Sequence, residues 1–185
     1  MKTRKLHFPA RAVWLPKPAG SGVYRYWLED SGSLTQSLTS RCRIFSVTRI
    51  EQRWGRPQND EATLLGLRQH QFALLREVCL CCDGQPAVFA HSVLPRKSLT
   101  GEWHDLDKLG ARPLGATLFA NAKVVRTPLT YRKLLPGHTL YQRAVSVLQR
   151  RPTCLWARRS VFMLLGKPIL VTEVFLPGVL ERSRR

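Results

Sequence analysis

Two stretches of the chain repeat one pattern of apolar and polar positions. From Arg76 the chain passes Val78 and Leu80, reaches Gly84-Gln85-Pro86, continues through Val88 and Phe89, and closes on Leu94-Pro95. From Arg158 it passes Val161 and Phe162, reaches Gly166-Lys167-Pro168, continues through Ile169 and Val171, and closes on Leu176-Pro177. The Arg-to-Gly, Gly-to-Pro and Pro-to-Leu-Pro spacings agree between the copies. Apolar β-formers on both sides of a glycine, which reaches φ > 0 without steric cost, predict a tight hairpin in each copy. Strand-like runs at 44–49 and 122–126 precede the hairpins and complete a β-β-β unit in each half. The expectation is an α+β fold: a six-stranded antiparallel sheet with rough two-fold pseudo-symmetry and helices packed on one face.

The remaining elements are shorter. A turn with helix-start character at 29–33 leads into a helix at 34–38. Helix formers at helical spacing cover 61–69, after a Gly/Pro/Asn loop at 53–60. Residues 96–113 read as a short capped helix and loops, and 117–125 as strand-like. A Pro-interrupted basic stretch at 127–152 contains a helix at 140–148. The organisation expected is a lead-in segment (1–22), a single domain (23–178) and a basic tail (179–185).

A chain of 185 residues with 44% hydrophobic content can bury a core without staples. No apolar stretch is long enough to cross a bilayer. The basic N-terminus lacks a following apolar region, so no signal peptide is expected and the location expected is cytoplasmic. The formal net charge of +18, from 30 basic and 12 acidic residues, invites a nucleic-acid reading. The basic residues do not form one stripe, however, and no helix-turn-helix, RNA-binding aromatic motif or zinc-finger spacing is present. No stable nucleic-acid partner is expected, and the same field attracts a small dianion. The five cysteines are expected to be reduced thiols. Cys79 and Cys82 form a C-x-x-C, but inside an apolar strand-like run, where they serve better as small hydrophobes than as redox or metal groups.

Against this background two residues stand out. Period two places Arg76 on one strand face with Val78, Leu80 and Cys82. A guanidinium there must pair, reach an edge or bind an anion. Glu173 shares its face with Ile169, Val171 and Phe175. A carboxylate in that setting needs a partner, either a structural arginine such as Arg158 or a substrate hydroxyl. By spacing, His91 occupies in the first hairpin the place of Glu173 in the second. Together these features suggest a pocket built on a sheet, with one cation and one carboxylate aimed inward, suited to a small organic acid bearing a polar group.

The chain resembles the chorismate lyase family over roughly residues 23–177. The resemblance rests on Leu75-Arg76-Glu77-Val78-Cys79-Leu80 with Asp83-Gly84, on Leu109-Gly110 through Pro113-Leu114-Gly115 and Leu118-Phe119, and on Leu155-Trp156-Ala157-Arg158-Arg159-Ser160 with Gly166-Lys167-Pro168 and Thr172-Glu173-Val174-Phe175-Leu176-Pro177. It implies flap segments over an internal ligand cavity, a monomer, and no metal or organic cofactor. It implies conversion of chorismate to 4-hydroxybenzoate and pyruvate in ubiquinone biosynthesis. It assigns Arg76 to the ring carboxylate, Glu173 to the ring hydroxyl, and Leu114 and Leu34 to backbone contacts, Leu34 standing where the family often has methionine. The segment around 131–153 looks longer than in shorter family members. Arg158 and His91 are the candidates for the enolpyruvyl carboxylate. The competing class is a non-catalytic effector-binding domain of the same fold; in bacterial regulators such domains follow a winged helix-turn-helix, which the first 22 residues are too short to hold.

Overall fold

Both hairpins form. A computed structural model of the chain describes residues 13–100, 103–108 and 110–182. Strands β1 (Phe45–Gly55), β2 (Ala73–Cys82), β3 (Gln85–Pro95), β4 (Val125–Arg126), β5 (Thr130–Leu134), β6 (Leu155–Leu164) and β7 (Lys167–Phe175) build one antiparallel sheet in the order β1-β2-β3-β7-β6-β4, with β5 also paired to β6. The two hairpins therefore meet at the centre of the sheet, β3 against β7. Their turns are Asp83-Gly84 and Leu165-Gly166, and all four residues have positive φ. That geometry matches the right-handed twist of the flanking strands.

Among the described residues the sheet has seven strands, not six. The extra strand is β5, which the prolines at 128 and 136 and the basic residues Arg132 and Lys133 obscured in the sequence. It shares one edge of β6 with β4: β5 pairs with the first half of β6, β4 with the second. Proline at the ends of such an edge strand costs no ladder hydrogen bond. The run read as strand-like at 117–125 is instead the end of helix α4 (Leu114–Ala120), then a turn, and reaches β4 only at Val125. Leu114 and Leu118, one helical turn apart, are both buried against the sheet. Strand β1 continues to Gly55, into the region read as loop.

Helices cover both faces of the sheet rather than one. On the first face lie α1 (Arg25–Glu29), α2 (Leu34–Thr39) and α4. Trp27, Leu28, Leu34 and Leu38 pack there on Val78, Leu80, Val88 and Phe175. On the second face, α3 (Asn59–Leu64) and α5 (Thr139–Val145) pack on the alternate residues. Leu140, Tyr141 and Ala144 meet Cys79, Phe89 and Val174, while Leu65 and Leu67 meet Leu75, Val93 and Leu170. A central sheet buried on both faces explains why β2 is buried at every position. A 3-10 turn at Pro177–Arg182 follows β7, and its Val179 is fully buried, so the core reaches into the segment read as tail.

One residue sets which side chains share a face. Strand β3 carries a bulge: Leu80 pairs with Val88 but Cys81 pairs with Pro86, leaving Ala87 as the extra residue. Beyond it Arg76 lies opposite Ser92, and Glu77 opposite His91. The second hairpin has no bulge, so Arg158 lies opposite Glu173. A one-residue shift exchanges faces. His91 therefore points away from the face that carries Arg76 and Glu173, and its equivalence with Glu173 by spacing does not hold in space.

Cysteine usage also departs from expectation. Cys42, just after α2, and Cys82, at the end of β2, are joined as a disulfide, with Cα atoms 5.2 Å apart. That separation lies in the ordinary range for bridged cysteines. Cys79 and Cys81 are thiols buried on the opposite face, so Cys79 and Cys82 do not act together as a C-x-x-C unit.

Candidate active site

The first face of the sheet forms the floor of a closed cavity. Arg76 from β2, Ser92 from β3 and Glu173 from β7 project into it. Its cover comes from two short helices: Leu34 and Thr35 of α2, and Leu114, Gly115 and Phe119 of α4. All four residues assigned by resemblance (Leu34, Arg76, Leu114 and Glu173) thus meet at one place. The covers touch where Gly115 faces Thr35; a Cβ on Gly115 would stand 3.0 Å from Thr35 Oγ1. The cavity is about 40 Å³, room for a few water molecules. A substituted six-membered ring enters only when α2 and α4 move apart.

Arg76 is 1% exposed and makes no ion pair among the described residues. Its Nη2 donates to the carbonyls of Gly110 (3.0 Å) and Arg112 (3.1 Å), in the loop that leads into α4. Its Nε is buried without a hydrogen-bond partner. Burial pushes its pKa below the usual arginine value, but a guanidinium stays charged in proteins. The cation is thus held in place by neutral carbonyls and is uncompensated. It is a ready receptor for a carboxylate, whose two oxygens match its fork.

Glu173 stands two strands away, about 10 Å across the sheet. Its Oε2 accepts from Arg158 Nε at 2.5 Å. Arg158 is fully buried over the Phe175 ring, and its Nη1 donates to the carbonyls of Trp27 (2.9 Å) and Asp30 at the end of α1. The structural pairing weighed for Glu173 is therefore present. It does not close off the other role, because Glu173 also lines the cavity. Nε and Nη1 of Arg158 are held by Glu173 and α1, and its Nη2 is buried without a hydrogen-bond partner among the described residues, but the α1 carbonyls and Phe175 that enclose it do not line the cavity.

His91, the other candidate, lies behind the sheet. Its Nδ1 is 3.0 Å from Glu77 Oε1 and its Nε2 is 3.2 Å from Glu61 Oε1. Arg143 Nη1 also reaches Glu77, at 2.7 Å. Burial alone would lower the histidine pKa, but the two carboxylates outweigh it and raise it to about 9. This cluster ties α3 and α5 to the back of the sheet and has no line of approach to the cavity.

Sequence reading passed over Arg126, at the end of β4. Its Nε donates to Ser160 Oγ (2.7 Å) and its Nη1 to the Ser31 carbonyl (2.9 Å), in the turn before α2. Its guanidinium stacks on Phe119 (5.6 Å) and Phe162 (5.2 Å), both of which line the cavity. Burial lowers its pKa, Glu173 acts to raise it, and Arg158 lowers it further. Arg126 thus senses the Glu173 end of the cavity. The available signal was its position closing the apolar run at 122–126 before a proline-rich stretch.

The family model described as chorismate lyase matches residues 8–185. Among curated relatives, a "Probable chorismate pyruvate-lyase" from Aromatoleum aromaticum is 48% identical over 178 residues, covering 94% of this chain and 96% of that protein. One of the same description from Nitrosospira multiformis is 48% identical, covering 91% and 94%. Among solved structures, the effector domain of PhnF from Mycobacterium smegmatis matches with a TM-score of 0.58 at 15% identity, over 80% of this chain and 90% of that one. The C-terminal domain of the histidine utilization repressor from Pseudomonas syringae matches with a TM-score of 0.56 at 9% identity, over 73% and 93%. At such identities the structural likeness establishes the fold alone.

Proposed function

The chain belongs to the chorismate lyase family and is a lyase acting on chorismate; from that premise we propose that Arg76 and Glu173 divide the substrate between them and that the products are 4-hydroxybenzoate and pyruvate. Arg76 receives the ring carboxylate. Glu173 takes the C4 hydroxyl, on the opposite side of the ring. The main chain at Leu114 and Leu34 closes over the ring. The single observation that carries this reading is an uncompensated buried cation and a carboxylate facing one enclosed cavity from separate hairpins.

The chemistry asks little of the protein beyond position and charge. The bond between C3 and the ether oxygen breaks, and its electron pair leaves with the enolpyruvyl group. The proton on C4 departs, its bonding pair completes the aromatic ring, and the enolpyruvate takes up a proton to become pyruvate. Aromatisation drives the step, so holding the ring in a near-reactive pose and stabilising the departing charge supply most of the acceleration. Glu173, oriented by Arg158, fixes the C4 hydroxyl and stands near the proton that leaves.

The protein acts as a monomer in the cytoplasm in this reading. No helix among the described residues is long and apolar enough to span a membrane. The test is direct. Purified protein incubated with chorismate in the presence of a chelator should yield 4-hydroxybenzoate and pyruvate in equal amounts. Binding of chorismate with no turnover would instead support the reading as a non-catalytic effector-binding domain.

A further inference from the structure

Chorismate carries two carboxylates, and the roles proposed above employ only one cation for them. The second carboxylate sits on the enolpyruvyl arm, attached to the ring carbon next to the one bearing the hydroxyl. If the hydroxyl is at Glu173, the arm leaves the ring beside Glu173. A cation for it must lie on that side, on the first face of the sheet, with donor capacity to spare.

The arginines and histidine near the cavity sort by geometry. Arg76 is spoken for by the ring carboxylate. Arg158 keeps a buried Nη2 without a hydrogen-bond partner among the described residues, but its guanidinium is held by the carbonyls of α1 and over Phe175, neither of which lines the cavity. His91 is on the wrong face, between Glu61 and Glu77. Arg126 meets each requirement. It pairs in register with Phe162, whose side chain lines the cavity. Its charge is coupled to Glu173. Nε and Nη1 are held by Ser160 and Ser31, which fix the plane of the fork, while Nη2 has no hydrogen bond or ion pair among the described residues.

We infer that Arg126 binds the enolpyruvyl carboxylate of the substrate and holds the leaving enolpyruvate as the C3–oxygen bond breaks. The inference rests on the assignment of Arg76 and Glu173 made above. Phe119 is the wall between Arg126 and the cavity. It belongs to α4, one of the covers that must move for a ring to enter, and it is 43% exposed. Displacing it gives the arm the space that the closed cavity lacks. It also uncovers the guanidinium only when a ligand with an arm is present. Because Nη1 holds the turn before α2, and the face of the guanidinium holds α4, Arg126 touches both covers. Loss of the arm as pyruvate returns Phe119 to Arg126 and leaves the aromatic product enclosed.

The product lacks the second carboxylate, and that separates this role from a structural one. Arg126→Gln should lower kcat/KM for chorismate by roughly 100-fold, the effect of losing a charged hydrogen-bond partner, while 4-hydroxybenzoate affinity stays within about threefold of wild type. Arg126→Lys should recover about tenfold of the loss, as a point charge without the fork. An Arg126→Gln enzyme with wild-type kcat/KM overturns the inference. So does an equal loss of product affinity, which would make Arg126 only a clip between the covers. Should Arg126→Gln fail to fold, the lysine variant carries the test alone: a reduced kcat/KM with unchanged product affinity is expected, and wild-type kcat/KM overturns it. Wild-type protein inactive on chorismate would overturn the parent assignment and this one together, whereas an active wild type with an indifferent Arg126→Gln overturns this one only.

Discussion

Arg158 Nε lies 2.5 Å from Glu173 Oε2, directly across the β6–β7 ladder. In the proposed reading Arg158 is the structural half of the pair and Glu173 the chemical half, and the halves can be separated. Removing one partner of a buried pair costs about 3–5 kcal/mol, whereas removing both is often near neutral. Glu173→Gln should therefore lose stability and also lower kcat by at least about 100-fold, the usual worth of a positioned acid or base. Adding Arg158→Met should restore much of the stability and none of the turnover. Denaturant melts and steady-state kinetics on the single and double variants check both; a double variant that regains activity would show that Glu173 has no role beyond pairing.

Arg76 has no carboxylate of its own among the described residues, so both substrate and product should depend on it. Arg76→Ala should lower kcat/KM by about 30- to 150-fold, equivalent to about 2–3 kcal/mol. It should weaken 4-hydroxybenzoate binding by a similar factor. Titration calorimetry with the product and initial-rate kinetics with chorismate provide the comparison, and an unchanged kcat/KM would refute the assignment.

Gly115 faces Thr35 where the two covers meet. A Cβ on Gly115 would sit 3.0 Å from Thr35 Oγ1, tighter than comfortable packing allows. Gly115→Ala should part the covers slightly, speed product release and weaken product affinity by a factor of about 3–10. Thr35→Ala removes the opposing oxygen, so the double variant should recover the slow release. Stopped-flow displacement of 4-hydroxybenzoate measures it, and additive rather than compensating effects would argue against the contact.

The back of the sheet predicts a pH dependence of stability unrelated to turnover. His91 has its pKa raised from 6.5 to about 9 by Glu61 and Glu77, against the opposing effect of burial. A raised pKa contributes stability fully below about pH 6.5 and loses it as pH climbs through 9. Glu77 acts in the opposite sense. Burial works to raise its pKa, but His91 and Arg143 bring it below the usual carboxylate value, so its contribution is present above that value and fades on acidification. Tm should be highest between these limits and fall from pH 7 to 9. His91→Gln should flatten the alkaline limb without altering kcat at neutral pH. A wild-type Tm unchanged between pH 6.5 and 9.5 would contradict the cluster.

The hairpins were legible because Asp83-Gly84 and Leu165-Gly166 announce their turns and the flanks alternate. Arg76 and Glu173 were legible because each is charged on an otherwise apolar strand face. Strand β5 was not, since an edge strand between prolines carries too few apolar positions to reveal its period. Helices at 61–69 and 140–148 were legible, but not their place behind the sheet, because an apolar stripe on a helix does not say which face of a sheet it meets. The position of His91 was out of reach: Ala87, the bulge residue, looks like any other small strand residue until the partner strand is in place. Arg126 was missed for a related reason. Its importance comes from Glu173 and Phe119, partners distant in sequence that meet only in the fold.

The bulge at Ala87 has a meaning beyond local geometry. If the ladder ran on from Cys81 and Pro86 without the bulge, with Ala87 opposite Leu80, the rest of β3 would slide by one step, bring an imidazole into the chamber where a serine now stands, and send the serine to the rear. The chemical character of this chamber is thus governed by a residue with no reactive group, through nothing more than counting. Variants that favour that unbulged pairing, rather than a deletion of Ala87, which would leave Ser92 opposite Arg76, therefore offer a short route from this scaffold to pockets with a different proton inventory.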